Sequence, residues 1–268
     1  MIEKNEMPLI FSHVAAQGKP RHMKAEIAGC PFCDYAEKEN ILAKEGEFLW
    51  IKNKYPTLND TSQTLIIESK AHNSDISTYT KEENRHLIQF ALKCWKQMKN
   101  DSRYQSVLFY KNHGPLSGGS LKHPHMQIVG LENLDGESQI QKETFEGVLV
   151  LEYKNISVTL SKYPTMGFLE INLLAERDEN TELFADYLQQ LVCYVLQRYF
   201  QGRCDSFNLF FFEREGKLIA KVVPRFIDSP YFVGYRLSQT FSDDHLSKLG
   251  GELKAFLTLN ETEKNPMN

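Results

Sequence analysis

The sequence predicts an α+β fold of two tandem pseudo-repeat halves, each an antiparallel sheet with a long helix laid on one face. Three observations point there. Alternating and aromatic-rich stretches give way to one helical stretch and then return, and this strand, strand, helix, strand, strand order occurs twice. The tetrapeptide Lys-Tyr-Pro-Thr stands at 54–57 and again at 162–165, an offset of 162 − 54 = 108. The chain of 268 residues is somewhat under two domains at roughly 150 residues each. The halves are placed at 1–140 and 141–268.

Residues 1 to 29 carry little pattern and read as an irregular arm, with Gly18-Lys19-Pro20-Arg21 as a basic turn. Glu47 to Lys52 is half alternating and reads as a strand running into Asn53-Lys54-Tyr55-Pro56-Thr57, and Thr64 to Glu68 as a second strand. From Thr80 the period changes: Leu87, Ile88, Ala91, Leu92, Trp95 and Met98 recur at helical spacing, with Thr80 as cap and Glu83 as its capping-box partner. Ser106 to Tyr110 returns to strand, a loop rich in Gly and Ser follows, and His123-Pro-His-Met-Gln-Ile-Val129 reads as the last strand of the half.

The second half repeats this order with strands at Ile156 to Leu160 and Gly167 to Leu174, a strongly amphipathic helix from Leu183 to Tyr199, and a strand at Phe207 to Phe212. Gly216 then stands where Gly114 stood (216 − 114 = 102), and Pro224 where Pro124 stood (224 − 124 = 100). Four landmarks in one order read as a duplication whose second copy has lost its histidines.

Composition narrows the function classes. Hydrophobic residues at 41% and charged residues at 25% exclude disorder, collagen and coiled coil. The formal charge of −4 leaves no global positive field for nucleic acid or anionic lipid. No apolar run approaches the roughly 18 residues of a membrane helix, and the polar N-terminus is unlike a signal peptide, so a cytoplasmic protein is expected. Five cysteines do not make a disulfide scaffold. Cys94 and Cys193 fall in helical patterns as small buried thiols, and Cys204 looks solitary.

Cys30-Pro-Phe-Cys33 has the spacing that lets two thiolates reach one tetrahedral ion from a tight turn. The rival is a redox pair, which should follow a strand and open a helix, and the arm before Cys30 shows no strand. Two further ligands are needed, and His72, His123 and His125 are at hand. On a strand His123 and His125 project side by side, two surface histidines or one site. Upstream, Gly114, Gly118, Gly119 and Ser120 are suited to wrapping a phosphate with N–H donors.

The run from Asn112 to Gln127, with Asn-His-Gly, Gly-Gly-Ser and His-Pro-His-Met-Gln, resembles the active-site signature of the galactose-1-phosphate uridylyltransferase family, the transferase branch of the histidine-triad superfamily, and it is also similar to ADP-glucose phosphorylase. Cys-Pro-Phe-Cys, the strand into Asn53-x-x-Pro56 and the histidine at Ser69-Lys-Ala-His72 match in order, and the resemblance extends over most of residues 19 to 260. It implies a histidine-triad-like fold for each half, a homodimer, and a division between the histidines. Cys30, Cys33, His72 and His123 match structural zinc ligands, two thiolates and two neutral imidazoles that sum to zero charge around Zn²⁺ and leave no open position. His125 matches the nucleophile, its other nitrogen oriented by a backbone carbonyl. Gln127 matches a donor to the α-phosphate, Gly118, Gly119 and Ser120 holders of the outer phosphate, and Asn53 and Asn112 contacts to nucleoside and phosphate.

The activity implied is nucleotidyl transfer between a nucleotide-sugar and a sugar 1-phosphate, by a ping-pong mechanism through a covalent nucleotidyl-histidine. Alternatives are a phosphorylase or hydrolase of the same fold acting on nucleotide-sugars or dinucleoside polyphosphates, and a non-catalytic zinc-stabilised nucleotide-binding protein. Hydrolytic members of the superfamily carry a third histidine at the position of Gln127, which disfavours water as acceptor. The chain also departs from the family. Beyond residue 125 it has only His245, so a second metal site is not expected. Pro230-Tyr-Phe-Val-Gly-Tyr-Arg236 resembles a family stretch ending in Tyr-Glu that reaches a partner subunit's active site and holds the hexose phosphate. Here Tyr235 precedes an arginine, and Arg236, with Arg225, suits a phosphate or carboxylate better than a neutral sugar face, unless Arg236 is merely exposed on a strand.

Overall fold

The structure, a computed structural model, describes residues 8–17, 30–33, 40–176 and 181–262. Gly18 to Arg21 lie outside the described residues. Contacts divide the chain into two units, Met1–His113 with Gly118–Ile140, and Gly114–Ser117 with Gln141–Asn268.

The first unit holds helix α1 (His13–Gln17), strands β1 (Ile41–Glu45), β2 (Phe48–Lys52) and β3 (Thr61–Ile67), helix α2 (Lys81–Lys99), and strands β4 (Ser106–His113) and β5 (His125–Leu131). Its antiparallel sheet has the order β1-β2-β3-β5-β4. The second unit holds β6 (Gly147–Tyr153), β7 (Ile156–Ser161), β8 (Ile171–Glu176), α3 (Thr181–Gln197), β9 (Phe207–Arg214), β10 (Lys217–Pro224), α4 (Pro230–Tyr235) and α5 (Asp243–Thr262). Its strands run β6-β7-β8-β10-β9, the same permutation, also antiparallel throughout. The repeat read from the sequence is therefore a repeat of topology.

The register assigns the faces of the first sheet. Ile67 pairs with His125, and Leu65 and Tyr110 with Gln127. Side chains alternate along a strand, so His125, Gln127, Tyr110 and Asn112 share one face with Leu65 and Ile67. Trp50, Ile66, Phe109, Lys111, Met126 and Ile128 take the other, and α2 lies there, its Trp95 indole donating to the Val107 carbonyl at 2.9 Å. α2 begins as its sequence dictates: the Thr80 hydroxyl accepts from the Glu83 N–H at 3.2 Å, and the Glu83 carboxylate accepts from the Thr80 N–H at 2.8 Å.

The two Lys-Tyr-Pro-Thr turns are held alike. In the first unit the Gln63 side-chain oxygen accepts from the Thr57 N–H at 3.3 Å, and in the second the Glu170 carboxylate accepts from the Thr165 N–H at 2.8 Å. The alignment fails at the last strand. Pro124 immediately precedes β5, whereas Pro224 ends β10, so the true counterpart of the His125 position is near Lys217 (217 − 125 = 92). The missing ten or so positions are the loop itself, because β9 turns into β10 through Glu215 and Gly216, both at positive φ (51° and 76°), the conformation of a two-residue hairpin turn.

Other elements depart from expectation. β5 starts at His125, with His123 in the bend before it, so the two histidines are not a same-face pair on one strand. β8 starts at Ile171 rather than Gly167, α3 ends at Gln197 before Tyr199, and Leu92 is half-buried while Phe90 is buried. Cys193 is only half-buried. Strand β1, mostly exposed, and helices α1, α4 and α5 carry no strong sequence signal. In α5, Gly250 lets the helix approach β6 and β7, since a Cβ there would meet Val148 at 3.5 Å and Leu160 at 3.9 Å. Arg236 is the left-handed cap of α4 (φ 55°) and not a strand residue.

Thr80→Ala is expected to cost about 1 kcal/mol of stability in urea unfolding. The capping hydrogen bonds hold the Glu83 carboxyl below the usual carboxylate range. Its contribution is therefore present above the unfolded carboxylate range and fades as pH falls through the lowered folded value.

Candidate metal centre and adjoining histidine

Residues 30–33 form a tight turn, the Cys33 N–H donating to the Cys30 carbonyl at 3.2 Å and the Phe32 N–H to Cys30 Sγ at 3.4 Å. The turn is buried against Leu49, Ile51, Leu65 and Ile67, on the face of the first sheet opposite α2. Cys33 Sγ lies 3.3 Å from His72 Nδ1 and 3.5 Å from His123 Nδ1, and the ligand atoms of Cys30, Cys33, His72 and His123 all lie within 4.8 Å of one another. A tetrahedral ion with bonds of ~2.3 Å to sulfur and ~2.0–2.1 Å to nitrogen needs sulfur and nitrogen ligands roughly 3.5 Å apart, so the group fits such an ion. These four residues can hold a metal.

His123 is fully buried, and its Nε2–H donates to the Ser69 carbonyl at 2.8 Å. That bond fixes the tautomer and turns the Nδ1 lone pair toward the thiolates. The His123 carbonyl in turn accepts from His125 Nδ1–H at 2.8 Å, the tautomer that puts the ring's lone pair on Nε2. The Phe32 ring meets the His125 ring edge-on, centroids 5.3 Å apart, and the His123 ring at 5.9 Å. The apolar residue of the cysteine turn thus packs on both histidines.

Gln127 is half-buried two residues on from His125, and its Oε1 accepts from the Tyr110 hydroxyl at 3.1 Å. Asn112 is half-buried on the same strand face as Tyr110. Asn53 is half-buried just past β2, its Oδ1 accepting from the Tyr55 N–H at 2.9 Å. Gly118, Gly119 and Ser120 lie on the connection between β4 and β5, with Gly118 exposed at φ 81°. Gly114 needs its glycine: φ is 82°, and a Cβ would fall 2.2 Å from the Asp205 carbonyl oxygen. Arg225, Tyr235 and Arg236 belong to the second unit. The Arg225 guanidinium is engaged there by Asn208 at 2.7 Å and Asp228 at 2.6 Å, so it serves an internal pair, while Tyr235 is exposed.

Sequence reasoning missed the buried charges behind this face. Lys111 pairs with Glu68, which also accepts from the Tyr79 hydroxyl at 3.1 Å, and both charged side chains are at most 1% exposed. Burial pushes the Glu68 carboxyl up, against the pull of Lys111. The Glu68 N–H donates to the Pro124 carbonyl at 3.2 Å, so the residue that carries the buried carboxylate also holds the His-Pro-His turn. A signal existed, since a charge at the end of an apolar strand run such as Thr64 to Glu68 demands a partner.

This fold is that of the galactose-1-phosphate uridylyltransferase-like structures. A uridylyltransferase structure superposes with a TM-score of 0.68 at 16% identity, covering 90% of this chain and 94% of that one. An ADP-glucose phosphorylase from Arabidopsis thaliana with bound ADP-glucose gives 0.64 at 16% identity, covering 89% and 93%. At such identity these likenesses speak for the fold alone. The chain belongs to the DUF4931 family: the models for the N-terminal and C-terminal domains of this domain of unknown function match residues 11–134 and 137–256. A DUF4931 family protein from Bacillus cereus, solved as a crystal structure, is 42% identical over 82% of this chain and 100% of that one, with a TM-score of 0.74. No curated protein matches. Among the described residues, no helix is long and apolar enough to cross a membrane.

Metal analysis is expected to find about one ion per chain, and Cys33→Ser to lower both that content and Tm. Lys111→Met strands the Glu68 carboxylate in the core and is expected to cost about 3–5 kcal/mol in urea unfolding, most of it recovered when Glu68→Leu is added.

Proposed function

We propose that this protein is a zinc-stabilised nucleotidyltransferase that moves a nucleoside monophosphate from a nucleotide-sugar to a second phosphate-bearing substrate through His125. The observation that carries the reading is the setting of His125: Nδ1–H is committed to the His123 carbonyl, and Gln127 stands two residues on along the same strand face. A neutral imidazole with a fixed tautomer is a nucleophile that needs no base to activate it. The likeness in fold to a uridylyltransferase and to an ADP-glucose phosphorylase supports the same class of chemistry.

In the first step His125 Nε2 attacks the α-phosphorus, a P–N bond forms, and the P–O bond to the sugar phosphate breaks. The leaving group departs as an anion and needs no strong acid. In the second step a phosphate oxygen of the acceptor attacks the same phosphorus and the P–N bond breaks, returning neutral His125. Nδ1 keeps its proton on the His123 carbonyl throughout. Gln127 donates its amide to the α-phosphate oxygens. Backbone N–H groups around Gly118 and Gly119, with the Ser120 hydroxyl, receive the outer phosphate, and Asn53 and Asn112 address the nucleoside and phosphate. A sugar 1-phosphate acceptor gives transfer, and inorganic phosphate gives phosphorolysis by the same steps.

Zinc would be held by Cys30, Cys33, His72 and His123, whose two thiolates balance its charge and whose four ligand atoms would leave no position open for substrate, so that it would supply stability alone. The exposed side chains of α4 and its C-terminal flank, Tyr231, Val233, Tyr235 and Leu237, offer an apolar surface for the second copy of a homodimer.

Incubation with UDP-glucose or ADP-glucose labelled in the α-phosphate is expected to yield a protein adduct stable to base and labile to acid. His125→Asn should abolish it while metal content stays unchanged. A wild-type chain that stays unlabelled across a panel of nucleotide-sugars would overturn the reading.

A further inference from the structure

We infer that Tyr110 is a positioning residue that fixes which end of the Gln127 amide faces the substrate, an inference that rests on the nucleotidyl-transfer reading above. An amide side chain presents an acceptor at one end and two donors at the other, and only the donor end is useful to a phosphate oxygen. Rotation by half a turn about the last side-chain bond would present the carbonyl oxygen to an anion. A phenol donates more strongly than it accepts, so the hydrogen bond from the Tyr110 hydroxyl to Gln127 Oε1, 3.1 Å long, favours the state in which the amide keeps its donor end for the substrate. With Oε1 so engaged, Nε2 is left for the face that also carries His125.

Several features make this bond dependable. Tyr110 and Gln127 are directly paired in the register of β4 and β5, so the two side chains rise from one sheet face at adjacent positions. Burial pushes the Tyr110 hydroxyl above its ordinary pKa, so it keeps its proton over the neutral range and remains a donor. Neither residue is on a loop: both belong to strands fixed on both sides, β5 between β3 and β4. The amide is thereby aimed before any ligand arrives, which removes an ordering cost from the step in which charge shifts onto the phosphate oxygens.

The test is a double-mutant cycle between Tyr110→Phe and Gln127→Ala, read as the single-turnover rate of adduct formation with labelled nucleotide-sugar. Tyr110→Phe is expected to slow adduct formation ten- to a hundred-fold with little change in half-saturating substrate, and to add no further loss in the Gln127→Ala background. The side-chain amide resonances of Gln127, identified as the pair lost in Gln127→Ala, should move in Tyr110→Phe without ligand, while Tm and metal content hold. Equal slowing in both backgrounds, no slowing, or unmoved amide resonances would each overturn the inference while leaving His125 as the nucleophile. A wild-type chain that forms no adduct overturns the nucleotidyl-transfer reading first, and this inference with it.

Discussion

The geometry of the site depends on the way His123 is held. One ring nitrogen is tied to the Ser69 carbonyl, the other faces the two cysteines and His72, and the backbone carbonyl receives the His125 ring. Three separate demands meet in one residue. The first sets the tautomer, the second brings the ring into the group that can hold a metal, and the third orients the His125 ring two positions along the chain. The bend at residues 122 to 124 lies between a β-bridge at Leu121 and the start of β5 and carries no strand assignment itself. The bend is instead anchored by the Glu68 N–H on the Pro124 carbonyl, and Glu68 is anchored by Lys111 across the start of β5. A stack of local interactions, each ordinary, converts a flexible connection into a fixed one.

The same view explains why the candidate metal group and the adjoining His125 stand in one copy of the duplicated plan and have no counterpart in the other. Strand order and helix placement persist in both, and each Lys-Tyr-Pro-Thr turn is held by a side-chain oxygen, of Gln63 in one and Glu170 in the other. What differs is the connection between the last two strands. A long bend with room for histidines in the first unit is a two-residue turn through Glu215 and Gly216 in the second. A turn that tight has no backbone left over to wrap a phosphate and no preceding bend to join a metal cluster. The second copy therefore has no loop between its last two strands on which such histidines could stand.

Much of this was legible in the sequence, and the exceptions have physical causes. The helix from Lys81 was readable because a capping box and a period of 3.6 agree. The cysteine turn was readable from spacing. The register of the last strand of the second half was not, since Pro224 offered an attractive match to Pro124, and sequence offsets cannot distinguish a deletion within a loop from one beyond a strand. Arg225 looked available for an anion because its partners, Asn208 and Asp228, are defined by strand pairing and a turn and not by proximity along a pattern. Tyr110 escaped notice although the alternation that places Asn112 on the site face places Tyr110 there too. β1 and α5 are weakly patterned because β1 is exposed on both faces and α5 has Gly250 and Gly251 at its middle.

The distribution of charge bears on the kind of reaction such a site favours. Lys111 is one strand position from Tyr110, yet pairing with Met126 puts its side chain on the face opposite His125, where Glu68 neutralises it. That ammonium is therefore not available to a phosphate. On the site face stand the Gln127 amide and the His125 ring, whose Nδ1 proton is committed to the His123 carbonyl. Neutral donors stabilise a phosphate without binding it as tightly as a cluster of arginines would, and they serve the incoming and departing phosphates equally. An exchange between two phosphate esters of similar energy asks for that balance. In the proposed transfer, tight capture of either partner would deepen one well and slow the return, which neutral donors avoid.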